Sequence, residues 1–209
     1  MKKVISTLCI VCFYHLLSYS QTHFGVKAGL NFAGIANDQN TSLATKSITR
    51  FHVGILANLA LNDNVSLQPQ LLLSQKGFGL NIPASKTTKP PTLEQNLRFN
   101  LNYLEMPVNI VYHIDGIEGV YVGAGPYFAY ALSGSASDGI TKQDIDFGTG
   151  SNRFDYGWNA SLAIDIIVGY RLQINYSKGR GEVFNSALTG ASQNRYFGFS
   201  ILKIWENKH

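Results

Sequence analysis

Hydrolytic chemistry would start from histidine, serine and carboxylate side chains, and the chain offers one such grouping, His52, Ser74 and Glu105. A working site needs a nucleophile, a base within hydrogen-bond reach and donors for the developing oxyanion. His52 and Ser74 fall toward the same ends of neighbouring apolar-polar segments and Glu105 falls deeper, but no motif ties the three together. The grouping therefore reads as packing, and no enzymatic activity is expected. Asp138, Asp144 and Asp146 sit in a Gly- and Ser-rich stretch and resemble a divalent-cation site by composition alone; solvated loop acids are the plainer reading. Gly123-Ala124-Gly125 lies inside an apolar pattern rather than before a helix, so it is not a nucleotide loop. Glycine there lets neighbouring side chains fit. No metal or cofactor is expected.

Two larger sets remain. Lys27, His52, Gln68, Gln70, Glu105, Asn109, Asp155, Asn159, Asp165, Arg171, Gln173 and Asn175 each interrupt an apolar run at every second position. Arg50, Lys76, Arg98, Arg153, Lys178, Arg180 and Arg195 instead collect at the ends of those runs. What either set can do depends on the elements that carry it.

Those elements are strands. In the stretch from Arg98 to Ser133, Leu104, Met106, Val108, Ile110 and Tyr112 share one face, while Tyr103, Glu105, Asn109 and His113 share the other. A turn at residues 115–119 leads into Val120, Val122, Ala124, Phe128, Tyr130 and Leu132 on the same side. Period two over a dozen residues marks a strand between two chemically different surroundings. The same alternation predicts strands at residues 24–33, 50–61, 65–76, 154–166, 170–177 and 195–205, eight in all. Long links at 34–49, 77–97, 134–153 and 179–194 alternate with short ones at 62–64, 115–119 and near 168. Outer-membrane barrels alternate their connections in this way, with long external loops, short periplasmic turns and both termini inside.

Aromatic placement agrees. Phe32, Phe51, Phe128, Tyr130, Tyr156, Trp158, Tyr176, Phe197 and Phe199 fall at the loop ends, and Phe24, Tyr112, Tyr170 and Trp205 at the turn ends, around an aliphatic belt. Amphipathic rings prefer the headgroup level, so two girdles fit a bilayer-embedded cylinder. A soluble barrel would keep its exterior polar. The expected fold is therefore all-β, an eight-stranded antiparallel up-and-down transmembrane β-barrel with a filled polar lumen.

Composition is consistent with one such domain. Of 209 residues only 14% are charged, 12% are aromatic and 20 are glycine, a balance that favours sheet over helix. Lys2 and Lys3 precede an apolar run from Val4 to Leu17 and Ser18-Tyr19-Ser20, the pattern of a cleaved signal peptide over residues 1–20. The run is short for a spanning helix of about 20 residues. Cys9 and Cys12 lie inside it, too early for lipidation at the cleavage site, so the mature 21–209 barrel domain would carry no cysteine. Its net charge would fall from +4 to +2, which calls for no nucleic acid or other polyanionic partner.

Three stretches, Phe24-Gly25-Val26-Lys27-Ala28-Gly29-Leu30-Asn31, Tyr103-Leu104-Glu105-Met106-Pro107 and Gly123-Ala124-Gly125-Pro126-Tyr127, in this order and spacing, resemble the eight-stranded PorT-like outer-membrane barrels of Bacteroidetes. That resemblance spans the mature chain and implies an outer-membrane location without a shared activity; its namesake branch is tied to assembly of a gliding and secretion apparatus.

The two polar sets then acquire places. Eight strands leave a lumen just wide enough for side chains. Lys27, Glu105, Asn109, Asp155, Asp165, Arg171 and Gln173 would plug it, with Glu105 paired to Lys27 or Arg171 because an unpaired charge there is costly. Arg50, Lys76, Arg98, Arg153, Lys178, Arg180 and Arg195 would form a collar at the outer headgroup level, suited to lipopolysaccharide phosphates. Generic interfacial anchoring would place the same residue types there. The expected function is a non-enzymatic outer-membrane protein of a Gram-negative bacterium, acting through loops 77–97 and 134–153 in surface interaction or envelope integrity. The alternatives are a component or assembly factor of a secretion apparatus and, less favoured, a lipid-modifying enzyme.

Overall fold

The computed structural model describes residues 22–37, 44–82, 95–145, 147, 153–186 and 190–205; the expected signal peptide and Asp146 lie outside them. The strands are β1 (Thr22–Asn37), β2 (Ala44–Ala60), β3 (Val65–Ile82), β4 (Gln95–His113), β5 (Val120–Ser137), β6 (Lys142–Asp144), β7 (Phe154–Ile167), β8 (Tyr170–Ser186) and β9 (Gly190–Trp205). All pair antiparallel, in the order β4-β3-β2-β1-β9-β8-β7-β5, and β4 pairs with β5 to close the ring. The three-residue β6 pairs only with the far end of β5. The result is a closed eight-stranded up-and-down barrel, in which no barrel strand keeps a free edge.

Short turns fix the register at one end. Asn62 Oδ1 accepts the backbone N–H groups of Asn64 and Val65, at 3.0 and 2.7 Å, so the side chain itself builds the β2–β3 turn. Gly169 takes a positive φ of 75° in the β7–β8 turn, a conformation that a side chain would strain.

Alternation runs through the barrel strands with local irregularities on β2, β5, β7 and β8, and on β3 and β4 its polarity reverses partway. On β3, Leu71 and Leu73 point outward and are exposed, while Gln68, Gln70 and Ser74 point inward and are buried. Beyond Lys76 the inward positions become Phe78 and Leu80, and the alternate ones are the small, covered Gly77 and Gly79 and the half-buried Asn81. Strand β4 changes in the same way: Leu97, Phe99 and Leu101 line the interior where it faces Phe78 and Leu80.

The reversal corrects the predicted links. Residues 34–37, 44–49, 179–186 and 190–194 are strand, so two of the predicted links are mostly wall, and strand also takes 77–82, 95–97 and 134–137 from the other two. With 19 residues, β4 runs about 60 Å along its length, whereas a tilted spanning strand needs only about 9–11 residues. The barrel wall therefore projects well past an apolar belt at the loop end, and the projecting part is built like a soluble protein with its greasy face inside.

The aromatic rings lie outward as expected. Phe24 is register partner to Trp205 near the turn end, and Phe32 to Phe197 near the loop end. Phe32 and Phe199 meet edge to face at 5.9 Å, and Tyr176 packs on Phe197 at 4.9 Å. Strand β3 contributes no outward ring.

Candidate functional site

The lumen is organised around Lys76, which alternation on β3 sends inward. Its side chain is 1% exposed, the ammonium sits 2.7 Å from Glu105 Oε2, and Asp155 Oδ2 is 3.8 Å away. Three tyrosine rings surround the same ammonium, Tyr127 at 4.6 Å and Tyr103 and Tyr196 at 5.0 Å each. Ring faces attract a desolvated cation. The hydroxyls add to the arrangement: Tyr196 donates to Glu105 Oε1 at 2.5 Å and Tyr127 to Asp155 Oδ2 at 3.1 Å. Asn194 Nδ2 donates to Asp155 Oδ2 at 2.9 Å. Two carboxylates and one lysine are thus locked in a closed charge box.

Two sequence expectations change here. Lys76 belongs to the lumen and not to the collar, because its position on β3 has the parity of Gln70 and Ser74. Glu105 accordingly pairs with Lys76, not with Lys27 or Arg171. Lys27 is buried lower down and donates to Gln70 Oε1 at 3.4 Å. Arg171 instead forks onto Asp165 at 2.7 and 3.2 Å at the turn-end rim, where Asp165 is 36% exposed. The guanidinium lies 3.3 Å from the centre of the Tyr121 ring, whose hydroxyl donates to the same carboxylate. A register shift after Asp165 brings the pair to the rim, so neither residue joins the plug.

The remaining predicted lumen residues are where alternation puts them. Asn109, Asp155 and Gln173 are buried with Lys27 and Glu105, as are Gln68, Gln70, Asn159 and Asn175. Between them lies a cavity of about 10 Å³, also lined by Ser161, Ser177 and Tyr196, room for about one water molecule. Below it Leu56, Leu202 and Ile204 form an apolar floor. Above the charge box, Leu101, Tyr103, Tyr127, Ala129 and Ala131 pack with Phe147, which folds into the mouth from the β6–β7 connection. The ionic layer is therefore capped on both sides by apolar layers.

His52 is held in a string of polar side chains. Its Nδ1 bonds Asn31 Oδ1 and its Nε2 bonds Ser200 Oγ, each at 2.9 Å, while Ser74 Oγ accepts from Asn31 Nδ2 at 3.1 Å. The string resembles a nucleophile, base and orienting group in order. His52, Asn31 and Ser200 are all buried in the lumen. What the string does is tie β2 to β9 across β1. Gly29 makes this possible: a Cβ there would lie 2.9 Å from His52 Cε1 and 2.0 Å from the Phe199 carbonyl oxygen. Gly125 is similar, with a Cβ position 2.0 Å from the Val108 oxygen.

The collar residues divide. Arg98, Arg180 and Arg195 are exposed, and Lys178 is half-buried beside Arg195, its register partner. Arg50 is held by the Thr49 carbonyl and by Asn100. Arg153 donates to the Ala131 carbonyl and leans over Phe147. In the β5–β6 turn, Asp138 accepts the N–H groups of Ile140 and Thr141 and the Thr141 hydroxyl, a self-contained turn in place of a metal shell. Among the described residues no three His, Cys, Asp or Glu side chains cluster as metal ligands.

Alternation alone holds the missed signals. The dipeptides Tyr127-Phe128 and Tyr196-Phe197 each send one ring inward and one outward, and Lys76 and Asn194 are inward by the same parity.

Comparison with known proteins supports this architecture. No curated protein matches the sequence. Among solved structures, the attachment invasion locus protein Ail of Yersinia pestis superposes with a TM-score of 0.50 at 9% identity, over 88% of this chain and 99% of that one. Neisserial surface protein A superposes with a TM-score of 0.51 at 13% identity, over 86% and 96%. At such identities the likeness concerns the fold. Residues 19–184 match the model of the outer membrane protein beta-barrel domain, and the chain belongs to that family of outer-membrane β-barrels.

Proposed function

We propose that this protein is a non-conducting outer-membrane barrel that works through its projecting end, in surface interaction or in holding the envelope together. One observation carries the reading: the lumen is filled in layers, with a closed charge box between two apolar caps. A barrel packed in this way offers no route for solutes, so its specific chemistry is presented outside. The projecting wall would be the surface that a rigid scaffold holds out from the bilayer. Exposed Arg98, Arg180 and Arg195, with Lys178, would meet outer-leaflet phosphates and set the depth of the barrel. On this reading the N- and C-termini face the periplasm and residues 1–20 are removed on export.

A planar bilayer containing the mature chain should show no porin-sized conductance. Cells lacking the protein should become sensitive to detergent, restored by the full chain but not by one whose segments 83–94 and 138–152 are replaced with short Gly-Ser links. A stable conductance, or full restoration by the trimmed barrel, would overturn the reading. If loss of the protein blocked protein export instead, the secretion-apparatus assignment would take its place.

A further inference from the structure

The outward surface carries a notch at the loop end of the β2–β1–β9–β8 wall. Gly34, at an outward position on β1, has no side chain to fill the space between Ser47 on β2 and Arg195 on β9. Phe32, Tyr176 and Phe197 form the apolar part of its lining, and the half-open notch has a volume of about 500 Å³, a size found among small-ligand sites. Arg195 lines one side, with Lys178 as its cross-strand neighbour. Among the described residues neither cation has a carboxylate partner, in contrast to Lys76 and Arg171.

Resting on the reading of a phosphate-facing rim, we infer that this notch is a specific site for the phosphorylated saccharide headgroup of an outer-leaflet glycolipid. The phosphate would bridge Arg195 and Lys178, since a guanidinium holds phosphate through two parallel bonds. The sugar would lie against Phe32, Tyr176 and Phe197, whose ring faces suit the C–H face of a pyranose. The acyl chains would then run down the exposed apolar stripe of Leu30, Phe199 and Ile201. Depth, charge and shape all point to this occupant: the aromatic floor lies at the level of the outer girdle, where such a headgroup sits. Arg98 has the same exposure but stands on β4, on the opposite side of the ring, with none of these rings beside it.

The test is native mass spectrometry of the mature chain in detergent micelles, titrated with bisphosphorylated lipid A, dephosphorylated lipid A, phosphatidylglycerol and inorganic phosphate. The wild type should retain bisphosphorylated lipid A in preference to the other three. Arg195→Gln should weaken retention about tenfold, the effect of one charge-assisted contact. Gly34→Val, which fills the notch and leaves every charge in place, should weaken it at least as much, and Arg98→Gln should leave it unchanged. Should Gly34→Val not fold, judged by heat-modifiable gel mobility, Ser47→Leu crowds the same space from β2. Equal losses in Arg195→Gln and Arg98→Gln with retention unaltered by the filled notch would overturn the site while sparing the rim reading. Retention indifferent to all of the substitutions would overturn both.

Discussion

Two halves of the same barrel wall obey opposite rules. Below Lys76 the strands turn leucine and isoleucine outward and keep glutamine, asparagine and charge inside. Above it they bury Phe78, Leu80 and Leu101 and carry glycine and asparagine at the alternate positions. Backbone parity runs through the boundary unbroken on β3 and β4, while irregularities fall near it on β2, β5 and β8; on β3 and β4 the difference therefore lies in what surrounds the wall. Where lipid is outside, apolar side chains gain nothing by turning inward, and the narrow interior can be polar if every group is matched. Where water is outside, the hydrophobic effect fills the interior as in any soluble domain. The charge box sits at the crossing, beneath the apolar cap.

That placement makes Lys76 the position whose loss should cost most. Lys76→Met keeps the length of the side chain but strands Glu105 and Asp155 in a water-poor interior, which costs about 3–5 kcal/mol when one partner of a buried pair is removed. Denaturant unfolding of the micelle-bound chain should register this as a large drop in midpoint. The triple variant Lys76→Met, Glu105→Gln, Asp155→Asn should recover most of the loss, since neutral, hydrogen-bonded groups of similar shape can replace an ion cluster. A single variant as stable as the wild type would mean that the box contributes nothing to holding the wall together.

The contrast between halves also predicts unequal costs for apolar truncation. Phe78 stacks on Phe99 at 4.7 Å and is 1% exposed; Phe78→Ala removes a core ring and should cost about 3–5 kcal/mol, felt as faster amide exchange across the ends of β3 and β4. Leu73 faces outward and is 52% exposed. Leu73→Ala should cost less than about 1 kcal/mol, because lipid tails are as apolar as the side chain removed and fill behind it. Equal effects at the two positions would place both in the same medium and remove the distinction.

The reversal explains which parts of the molecule were legible in the sequence. The membrane half was fully so: Leu104, Met106, Val108, Ile110 and Tyr112 against Glu105 and Asn109 state both the strand and its surroundings. Phe78, Leu80 and Asn81 keep period two but exchange the two faces, so a search for an outward apolar stripe ends at Lys76 and takes the continuation for a loop. The same habit sent Lys76 to the collar, since basic residues at strand ends usually anchor at the interface, although counting by twos from Gln70 turns it inward. The pairing of Glu105 was illegible for a different reason. Alternation gives a face but not a height, and three cations were available to one carboxylate; register sets Glu105 opposite Leu72 and Lys76 opposite Leu101, and two long side chains reaching toward each other along the lumen close the gap. Gly29 and Gly34 were likewise unreadable, since their meaning depends on neighbours across the ring.

The smallest effect lies at the tip of the projecting half, where water is on every side. The Asp138 carboxyl is held below the usual carboxylate range, first by the Thr141 N–H and then by the Ile140 N–H, both of which favour the ionised form. A group whose value is depressed by folding adds stability that is fully present above its unfolded value of 3.8 and disappears as pH falls through the lower folded value. The turn leading into β6 should therefore stay ordered at neutral pH and loosen only below about pH 4. Amide exchange or amide chemical shifts of Ile140 and Thr141 would report it, while Leu101 and Tyr127 inside the mouth stay protected. Asp138→Asn keeps an acceptor oxygen without a titrating proton, so it should abolish the pH dependence and weaken the turn slightly at neutral pH. Loosening that began near pH 6 would point away from this carboxyl and toward a histidine elsewhere in the chain.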